Sequence, residues 1–354
     1  MQDTKKNIVF LYSELAGYVV SAYNELASQG HNVTVVRWEV NKEAPFQFNF
    51  LDNITVRVKD EFDQDSLLKF VESANPDLLF VSGWMDKEYV HVAKRMKKKI
   101  PVVTGIDNFW LGTAKQNVGS VISKFVIQNK FTHAFVAGEP QREFAMKMGF
   151  ANKNIITGLY TADTKLFDDY FDATFENKKQ SFPKVFLYVG RYMEVKGSDN
   201  LFKAFARFKE QNTEWKLWCV GTGEDFDDRL IHEDVTHFGF VQPDKMTEII
   251  QGSSVFVLPS RKDNWGVVLQ EYAAAVYPIL SSKMVGASSA YLEDEVNGIL
   301  LEDSSPENLL KGMKWFAKKS DQELIEMGQV SKSLSAKNSA KIWCKNLLSI
   351  LNEA

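Results

Sequence analysis

Features that would place a chain in a specialised class are scarce in this sequence of 354 residues. Its two cysteines, Cys219 and Cys344, are too few for a disulfide framework or a zinc site, which fits a reducing cytoplasm. No apolar run approaches the roughly 18–20 residues of a membrane span. The formal net charge of −4 gives no support for a general nucleic-acid binder. The five histidines are scattered, with no pair at metal-ligand spacing.

The composition of the whole sequence, 45% hydrophobic and 25% charged, is that of a globular protein. The length is too great for one ordinary domain and suits two domains of roughly 170 residues each. The polar start, Met1–Lys6, leads straight into an apolar run, so we expect no signal peptide and a cytoplasmic location.

Apolar strands alternate with amphipathic helices along the whole chain, and the alternation restarts near Lys184. Continuous apolar strands separated by helices predict parallel sheets covered on both faces. The predicted fold is therefore α/β, with two doubly wound Rossmann-like domains. The predicted strands are Asn7–Tyr12, Asn32–Arg37, Asp77–Ser82, Pro101–Gly105, His133–Ala137, Asn154–Thr157, Val185–Gly190, Trp215–Val220, His237–Phe240, Val255–Leu258 and Pro278–Ser281.

We predict four segments in chain order. Residues 1–165 form a first α/β domain, and the polar residues 166–183 form a linker. Residues 184–335 form a second α/β domain. Residues 336–354 contain a last helix that we expect to pack back on the first domain.

A pair of cations follows the strand Val185–Gly190. Ligands of open α/β sheets bind beyond the carboxyl ends of the strands, where Arg191 is delivered. Lys196 precedes Gly197 and Ser198, where a helix is predicted to begin with Ser198 as its N-cap. The free amides of a first helical turn bind anions, and the two cations suit a diphosphate. The alternative is two solvated surface cations.

A pair of carboxylates follows the strand Val255–Leu258. Asp263 lies in the loop, and Glu271 lies about one turn inside the next helix, on a face shared with apolar side chains. A carboxylate in apolar surroundings needs a specific partner, because an unpaired buried charge is costly. Gly266 lets a ligand approach the backbone. The two carboxylates suit the hydroxyls of a sugar and a ribose, and the alternative is that Glu271 is solvated.

Four segments carry a resemblance to a known family: Val185–Asn200, Gly221–Glu224, Phe238–Phe240 and Ser260–Ser282. Together they resemble the C-terminal half of retaining glycosyltransferases of family 4, group 1 glycosyl transferases, which have the GT-B fold. The resemblance implies that residues 1–165 are an acceptor-side domain and residues 184–335 a nucleotide-sugar-binding domain, and that the two face a central cleft. The family pattern is a strand with Gly-Arg and Lys-Gly, then Gly-x-Gly, then Pro-Ser and two acids eight residues apart around Phe/Trp-Gly. The likeness is specific over residues 184–305 and only architectural over residues 7–165.

The resemblance implies that Arg191 and Lys196 hold the donor diphosphate, that Glu271 binds the ribose and that Asp263 contacts the donor sugar. Backbone amides at Trp265, Gly266 and Val267 would line the sugar and phosphate. The expected donor-binding residues are Gly17, Gly190, Arg191, Lys196, Gly221, Gly223, Phe240, Asp263, Asn264, Trp265, Gly266, Val267 and Glu271. The residues expected to assist the chemistry are Asp107, Arg191, Lys196 and Asp263.

Two positions depart from the family pattern. The first acid is Asp263, which is one methylene shorter than the glutamate usual in the family. We therefore expect an altered donor geometry. Tyr277-Pro278 stands where Gly-Pro is usual, and we interpret this as a change in packing.

The first domain offers less specific signals. Asp107 follows the strand Pro101–Gly105, and we expect it to take part in substrate binding or catalysis. The alternative is that Asp107 and Asn108 only form a turn. The family commonly has a histidine near one of these strand ends, and none occurs here. Phe109 and Trp110 suit stacking on an acceptor sugar or simple burial.

Two Asp-x-Asp triplets, which begin at Asp63 and Asp225, match the spacing of metal-using transferases of another fold. Neither follows a strand as such a motif requires, so solvated helix starts are the better interpretation. We expect no metal site, no cofactor and no essential divalent ion, with a UDP- or GDP-sugar as co-substrate.

A basic run ends one predicted helix, where cations favour the helix dipole. It is a solvated face or a contact with anionic lipid headgroups, which would suit a peripheral enzyme with a lipid-linked acceptor. The run consists of Lys94, Arg95, Lys97, Lys98 and Lys99.

The resulting hypothesis is a retaining hexosyltransferase that uses a nucleoside-diphosphate sugar in polysaccharide or glycoconjugate synthesis. Two alternatives stay open: a nucleotide-sugar epimerase of the same fold, and a non-catalytic nucleotide-sugar-binding partner. The acceptor, the donor sugar and the nucleobase are not determined by the sequence.

Overall fold

The computed structural model of the protein describes residues 5–40, 46–212 and 214–352. The chain divides into two compact units. Unit 1 comprises Met1–Thr161 and Ala340–Ala354, and unit 2 comprises Ala162–Ser339. None of the helices in these described ranges is long and apolar enough to cross a bilayer.

Unit 1 contains a seven-stranded parallel sheet in the order β3-β2-β1-β4-β5-β6-β7. The central strands are buried on both faces, which is why they are continuously apolar in sequence. The strands are β1 (Asn7–Tyr12), β2 (Asn32–Arg37), β3 (Ile54–Val58), β4 (Leu78–Val81), β5 (Val102–Ile106), β6 (His133–Val136) and β7 (Ile155–Thr157). The helices are α1 (Gly17–Ser28), α2 (Gln64–Ser73), α3 (Lys87–Met96), α4 (Ala114–Val126), α5 (Glu139–Lys147) and the last helix, α13 (Ala340–Ser349).

Unit 2 contains a six-stranded parallel sheet in the order β10-β9-β8-β11-β12-β13. Its strands are β8 (Val185–Val189), β9 (Lys216–Val220), β10 (Val235–His237), β11 (Val255–Leu258), β12 (Ile279–Ser282) and β13 (Gly298–Leu301). Its helices are α6 (Thr164–Gln180), α7 (Ser198–Lys209), α8 (Thr247–Gln251), α9 (Val267–Ala274), α10 (Ser288–Tyr291), α11 (Pro306–Phe316) and α12 (Asp321–Ser335). The predicted pair of doubly wound α/β units is confirmed.

The return of the last helix to unit 1 is also confirmed. The indole of Trp343 is 3% exposed and donates a hydrogen bond to the carbonyl of Leu159 at 2.7 Å. Asn346 donates to the carbonyl of Thr157 at 3.2 Å. Burial of this large amphipathic side chain, with its N–H satisfied, fixes α13 on the unit formed by the N-terminal half of the chain.

The predicted linker 166–183 is wrong in one respect: most of it is helix α6, which belongs to unit 2. Its buried side chains, Phe167, Tyr170, Thr174 and Lys178, recur at helical spacing. The ring of Phe167 packs edge-on against Tyr272 with centroids 5.7 Å apart. The polar segment therefore contains the buried stripe of an amphipathic helix, and Phe167 and Tyr170 belong to that stripe.

Three strand predictions need correction. The predicted strand His237–Phe240 lies earlier, as β10, because Gly239 adopts the left-handed backbone conformation with φ of 68° and ends the extended chain. The edge strands β3 and β13 were missed. An edge strand has a neighbour on one side only, so its residues are less uniformly buried and its apolar pattern is weaker.

The Tyr277 departure is a packing change, as interpreted. The Tyr277 hydroxyl lies 2.9 Å from Ser253 Oγ and donates to the carbonyl of Ile250 at 2.9 Å. Its ring lies 4.0 Å from the buried ammonium of Lys178, whose pKa burial lowers to about 7. The left-handed residue of this turn is Val276, with φ of 65°, a strained conformation for a β-branched side chain.

Candidate functional site

The predicted site residues of unit 2 follow the strands on both sides of a topological switch point. Chain order runs outward from β8 through β9 to β10 on one side, and from β11 through β12 to β13 on the other. Open α/β sheets bind ligands beside such a switch point, at the carboxyl edge of the sheet. Arg191 and Lys196 follow β8, and Asp263 and Glu271 follow β11.

The turn after β8 is held in place by glycines on the neighbouring strand end. A Cβ on Gly221 would lie 2.0 Å from the carbonyl oxygen of Gly190, and one on Gly223 would lie 2.3 Å from that of Tyr192. The amide of Tyr192 donates to the carbonyl of Thr222 at 2.9 Å. Gly190, Gly221 and Gly223 thus permit a close backbone approach that positions Arg191, which is partly buried.

Gly197, not Ser198, is the N-cap of α7. Its backbone is left-handed, with φ of 71°, and no side chain caps the helix start. A Cβ on Gly197 would lie 2.1 Å from the carbonyl oxygen of Pro259, so the turn after β8 lies directly on the loop after β11. The amide of Arg261 confirms this contact, because it donates to the carbonyl of Val195 at 2.9 Å.

The start of α7 already has a carboxylate that the sequence analysis missed. The two guanidinium nitrogens of Arg261 contact the two carboxylate oxygens of Asp199 at 2.7 and 2.8 Å. Although burial opposes it, this pairing lowers the pKa of Asp199. This ion pair, with one hydrogen bond from Arg261 to Asp199 Oδ2, connects α7 to the loop after β11 and fixes the relative position of the two motif segments.

Lys196 and Asp263, predicted to serve different parts of a ligand, form an ion pair with each other. The Lys196 ammonium lies 2.6 Å from Asp263 Oδ2, and both side chains are mostly buried. Each charge is therefore neutralised in the absence of a ligand, which lowers the cost of holding both groups away from water. A bound diphosphate would compete with Asp263 for this ammonium.

The loop from Asp263 to α9 is fixed by backbone pairing. The amide of Asp263 donates to the carbonyl of Met284 at 2.9 Å, and that of Ala287 donates to the carbonyl of Trp265 at 2.7 Å. The side chain of Trp265 is 3% exposed and packs edge-on against Tyr291, so only its backbone can line a site. Asn264 is partly buried in the same loop.

Helix α9 begins at Val267 without a side-chain cap. Gly266 is its N-cap in the left-handed conformation, with φ of 83°. Val267 is itself buried, so this position also offers its amide rather than its side chain. The first amides of α9 point out of the helix end towards the loop, as a site for a phosphate or a sugar hydroxyl requires.

Glu271 is a partly buried carboxylate for which the described residues provide no hydrogen-bond donor or cation. Burial, first, and the charge of Asp163, second, raise the pKa of the Glu271 carboxyl to about 7. Burial also raises the pKa of Asp163. The specific partner expected for Glu271 is thus not a protein group of the described chain, and a ligand diol would supply two donors.

Replacing Glu271 by glutamine is expected to stabilise the ligand-free protein at pH 8. In the folded state the pKa is raised above its ordinary value of 4.5, so the stability that the neutral acid contributes is lost as pH rises towards 7. The glutamine variant avoids this cost. Its free energy of unfolding should therefore exceed that of wild type by about 1–2 kcal/mol at pH 8 and by close to nothing near pH 4.5.

Urea denaturation at both pH values measures this difference. The matched control is Glu233→Gln, which removes an exposed carboxylate of the same unit and should change neither midpoint. Equal midpoints for wild type and Glu271→Gln at pH 8 would show that the Glu271 charge is well solvated.

The segment after β10 contributes Phe240, which is partly buried next to the left-handed Gly239. The carbonyl of Gly239 accepts a hydrogen bond from the amide of Gly221 at 2.7 Å. The ends of β9 and β10 therefore lie side by side at the same carboxyl edge as the turn after β8.

In unit 1, Asp107 follows β5 and lies among tyrosines that the sequence analysis did not single out. The hydroxyl of Tyr160 donates to Asp107 Oδ2 at 3.1 Å, and the ring of Tyr18 packs edge-on against Tyr160. Burial, followed by the charge of Asp107, raises the pKa of Tyr12. Asp107 therefore takes part in a side-chain network rather than only in a turn. Trp110 is partly buried and packs against Phe144.

Gly17 is the first residue of α1, in the loop that follows β1. It has no left-handed backbone, and a Cβ at this position would meet no atom within 4 Å. Gly17 and Asp107 belong to unit 1, and the other predicted site residues belong to unit 2.

The two Asp-x-Asp triplets lie at the starts of helical segments. Asp63 is the N-cap of α2 and accepts hydrogen bonds from the amides of Asp65 and Ser66 at 3.0 and 2.8 Å. Asp225 precedes a short 3₁₀ turn. Within the described ranges, no group of three or more His, Cys, Asp or Glu side chains is arranged to hold a metal ion.

Residues 170–331 match the family described as Glycosyl transferases group 1. An uncharacterized glycosyltransferase of Haemophilus influenzae is 21% identical over 321 residues, covering 83% of this chain and 84% of the relative. One from Methanocaldococcus jannaschii is 30% identical over 137 residues, 37% of this chain and 35% of the relative, so that match spans about a third of its length. The crystal structure of Anabaena HepE in complex with UDP and glucose superposes with a TM-score of 0.72 at 13% identity, covering 98% of this chain and all of that one.

The two parallel-sheet units and this likeness define the class: the fold is GT-B. Within that class, the match to the group 1 glycosyl transferases lies in unit 2 and spans just under half of the chain.

Proposed function

We propose that the protein transfers a hexose-type sugar from a nucleoside diphosphate to a saccharide or lipid-linked acceptor, with retention of anomeric configuration. This reaction belongs to polysaccharide or glycoconjugate synthesis. The donor is a UDP- or GDP-sugar, and the fold likeness to a UDP-bound protein favours UDP. The free, buried thiols of Cys219 and Cys344 suit a reducing cytoplasm as the location. Asp107 serves substrate binding or the chemistry.

One observation carries this proposal: Glu271, which has no partner among the described residues, follows β11 in the same sheet edge region as two uncapped helix starts and the Lys196–Asp263 pair. Arg191, Lys196 and the amides of α7 and α9 provide positive charge for a diphosphate. Glu271 provides acceptors for a ribose diol, and Asp263 provides them for the donor sugar. This set matches the parts of a nucleotide sugar in order.

The proposed chemistry depends on the departure of the diphosphate. Arg191, Lys196 and the helix amides stabilise the charge that develops on the leaving group, and the acceptor attacks the same face of an oxocarbenium-like transition state. Because these cations neutralise the leaving group, we propose that no cofactor and no essential divalent ion take part. Addition of a chelator is then expected to leave turnover unchanged.

A thermal-shift panel of nucleoside diphosphates and their sugars tests the donor class. A ligand that binds only the folded state raises the melting temperature, so UDP, GDP and their sugars should raise it more than adenosine nucleotides do. With the best donor alone, slow hydrolysis to a free sugar of unchanged anomeric configuration, followed by NMR, is expected. A new nucleotide sugar instead would support the epimerase, and binding without any reaction would support the non-catalytic partner.

Replacing Glu271 by alanine is expected to weaken binding of UDP or UDP-sugar by about 10- to 100-fold, because two hydrogen bonds to a charged group are lost. Isothermal titration calorimetry measures this change, with Glu233→Ala as the control. Unchanged affinity would remove Glu271 from the ribose role.

A further inference from the structure

Helix α4 of unit 1 has its apolar side chains on the outside. The exposed fractions are 62% for Val118, 61% for Val121, 57% for Ile122 and 44% for Val126, and Leu111 just before the helix is 52% exposed. We call these five residues the α4 stripe. Among the described side chains of α4 and its C-cap residue, those of Ser123 and Ile127 are buried.

The stripe is a continuous surface rather than scattered exposure. Val118, Val121 and Ile122 are spaced by three and four residues, and Val126 follows Ile122 by four, so they share one helix face. Because an α-helix turns by about 100° per residue, Ser123 and Ile127 lie on the opposite side of α4, towards the core of unit 1. In α3, by contrast, the apolar residues face inward: Tyr89, Val92, Ala93 and Met96 are buried.

The surroundings of the stripe are basic. From residue 108 to residue 138 the chain has no aspartate or glutamate, and its charged residues are Lys115, Lys124 and Lys130. The basic run at the end of α3 lies beside the end of α4, because the ammonium of Lys97 donates to the carbonyl of Gln128. Lys94, Arg95, Lys98 and Lys99 in this run are exposed.

We propose that the α4 stripe and the basic run form a surface that docks unit 1 on an anionic lipid bilayer. The stripe would enter the headgroup region with the axis of α4 along the membrane plane, and the cations would contact anionic headgroups. An apolar face edged by lysine and arginine has the chemistry of this partner. A second copy fits less well, because two such basic faces repel each other in a symmetric contact.

Vesicle sedimentation tests this surface in the full chain. Wild type is expected to bind phosphatidylcholine vesicles with 30% phosphatidylglycerol at least about tenfold more tightly than pure phosphatidylcholine vesicles. Val121→Asp/Ile122→Asp should weaken binding to the anionic vesicles at least about tenfold, and Lys94→Glu/Lys98→Glu should abolish the preference for them. The matched control is Ile231→Asp, which changes an apolar side chain of unit 2 that is 76% exposed and should bind as wild type does.

Circular dichroism and thermal melting check that each variant is folded, and Val118→Ser/Val121→Ser provides a milder change at the same surface. Anionic-vesicle binding by Val121→Asp/Ile122→Asp equal to that of wild type would overturn the proposal. A wild-type protein that binds neither kind of vesicle would also overturn it. The same holds if variants of the α4 stripe lose self-association, measured by light scattering, but keep vesicle binding. Because vesicle binding needs no donor or acceptor, this surface and the transferase proposal can fail separately.

Discussion

Replacing Lys196 by alanine is expected to lower turnover with a nucleoside-diphosphate sugar by about 100- to 1000-fold, the usual cost of removing one group that stabilises transition-state charge. In the structure its ammonium neutralises Asp263 at 2.6 Å. The variant therefore loses a cation at the diphosphate and also leaves the Asp263 carboxylate unpaired beside it, which repels the leaving group. Arg191→Ala should have a loss of similar size. Steady-state kinetics under donor-limited conditions measures both.

Two further variants separate these contributions. Lys262→Ala removes an exposed cation from the loop after β11, next to Asp263, and should leave turnover near the wild-type value. Lys196→Ala/Asp263→Asn removes both charges of the pair and so isolates the effect of the unpaired carboxylate. Near-normal transfer by Lys196→Ala and Arg191→Ala would count decisively against the assigned diphosphate site.

Replacing Gly197 by alanine is expected to destabilise unit 2 by more than about 3 kcal/mol, the sum of left-handed strain and overpacking. The added Cβ would lie 2.1 Å from the Pro259 carbonyl oxygen, which is backbone and cannot rotate away. The turn after β8 and the loop after β11 would have to separate, which would break the Arg261–Val195 hydrogen bond between them. Both urea denaturation and donor binding should show the loss.

Gly239→Ala is the control for this experiment. Gly239 has nearly the same backbone conformation, with φ of 68°, in the same unit, but a Cβ there meets no atom within 4 Å. It should therefore lose only the strain of the left-handed conformation, about 1–2 kcal/mol. Equal destabilisation of the two variants would mean that the two loops are free to move apart.

The local patterns of the site were visible in the sequence because they depend on neighbouring residues. Strand ends, the glycine turns and the eight-residue spacing between Asp263 and Glu271 follow from chain order alone. Parallel strands then bring the ends of β8 and β11 to one edge. The pairing of Lys196 with Asp263 was not visible, because the two residues are 67 positions apart and each had a separate expected role. The same holds for Asp199 and Arg261, 62 positions apart.

Amphipathic segments were the other source of error. Residues 166–183 looked like a linker because polar and aromatic residues alternate irregularly, yet the spacing of Phe167, Tyr170 and Thr174 buries them on one face of α6. Helix α4 shows the opposite case. Its apolar residues have the period of a buried face, and only the tertiary packing places that face outside.

By itself, the sequence determined the alternation of strands and helices, the two sheets and the order of the motifs, because these depend on local hydrophobic period and on turn residues. The tertiary structure decided which charges neutralise each other, that Glu271 has no partner among the described residues, and which helix faces are covered. The physical reason is that pairing and burial depend on distances between residues far apart in the chain, and a one-dimensional pattern does not contain those distances.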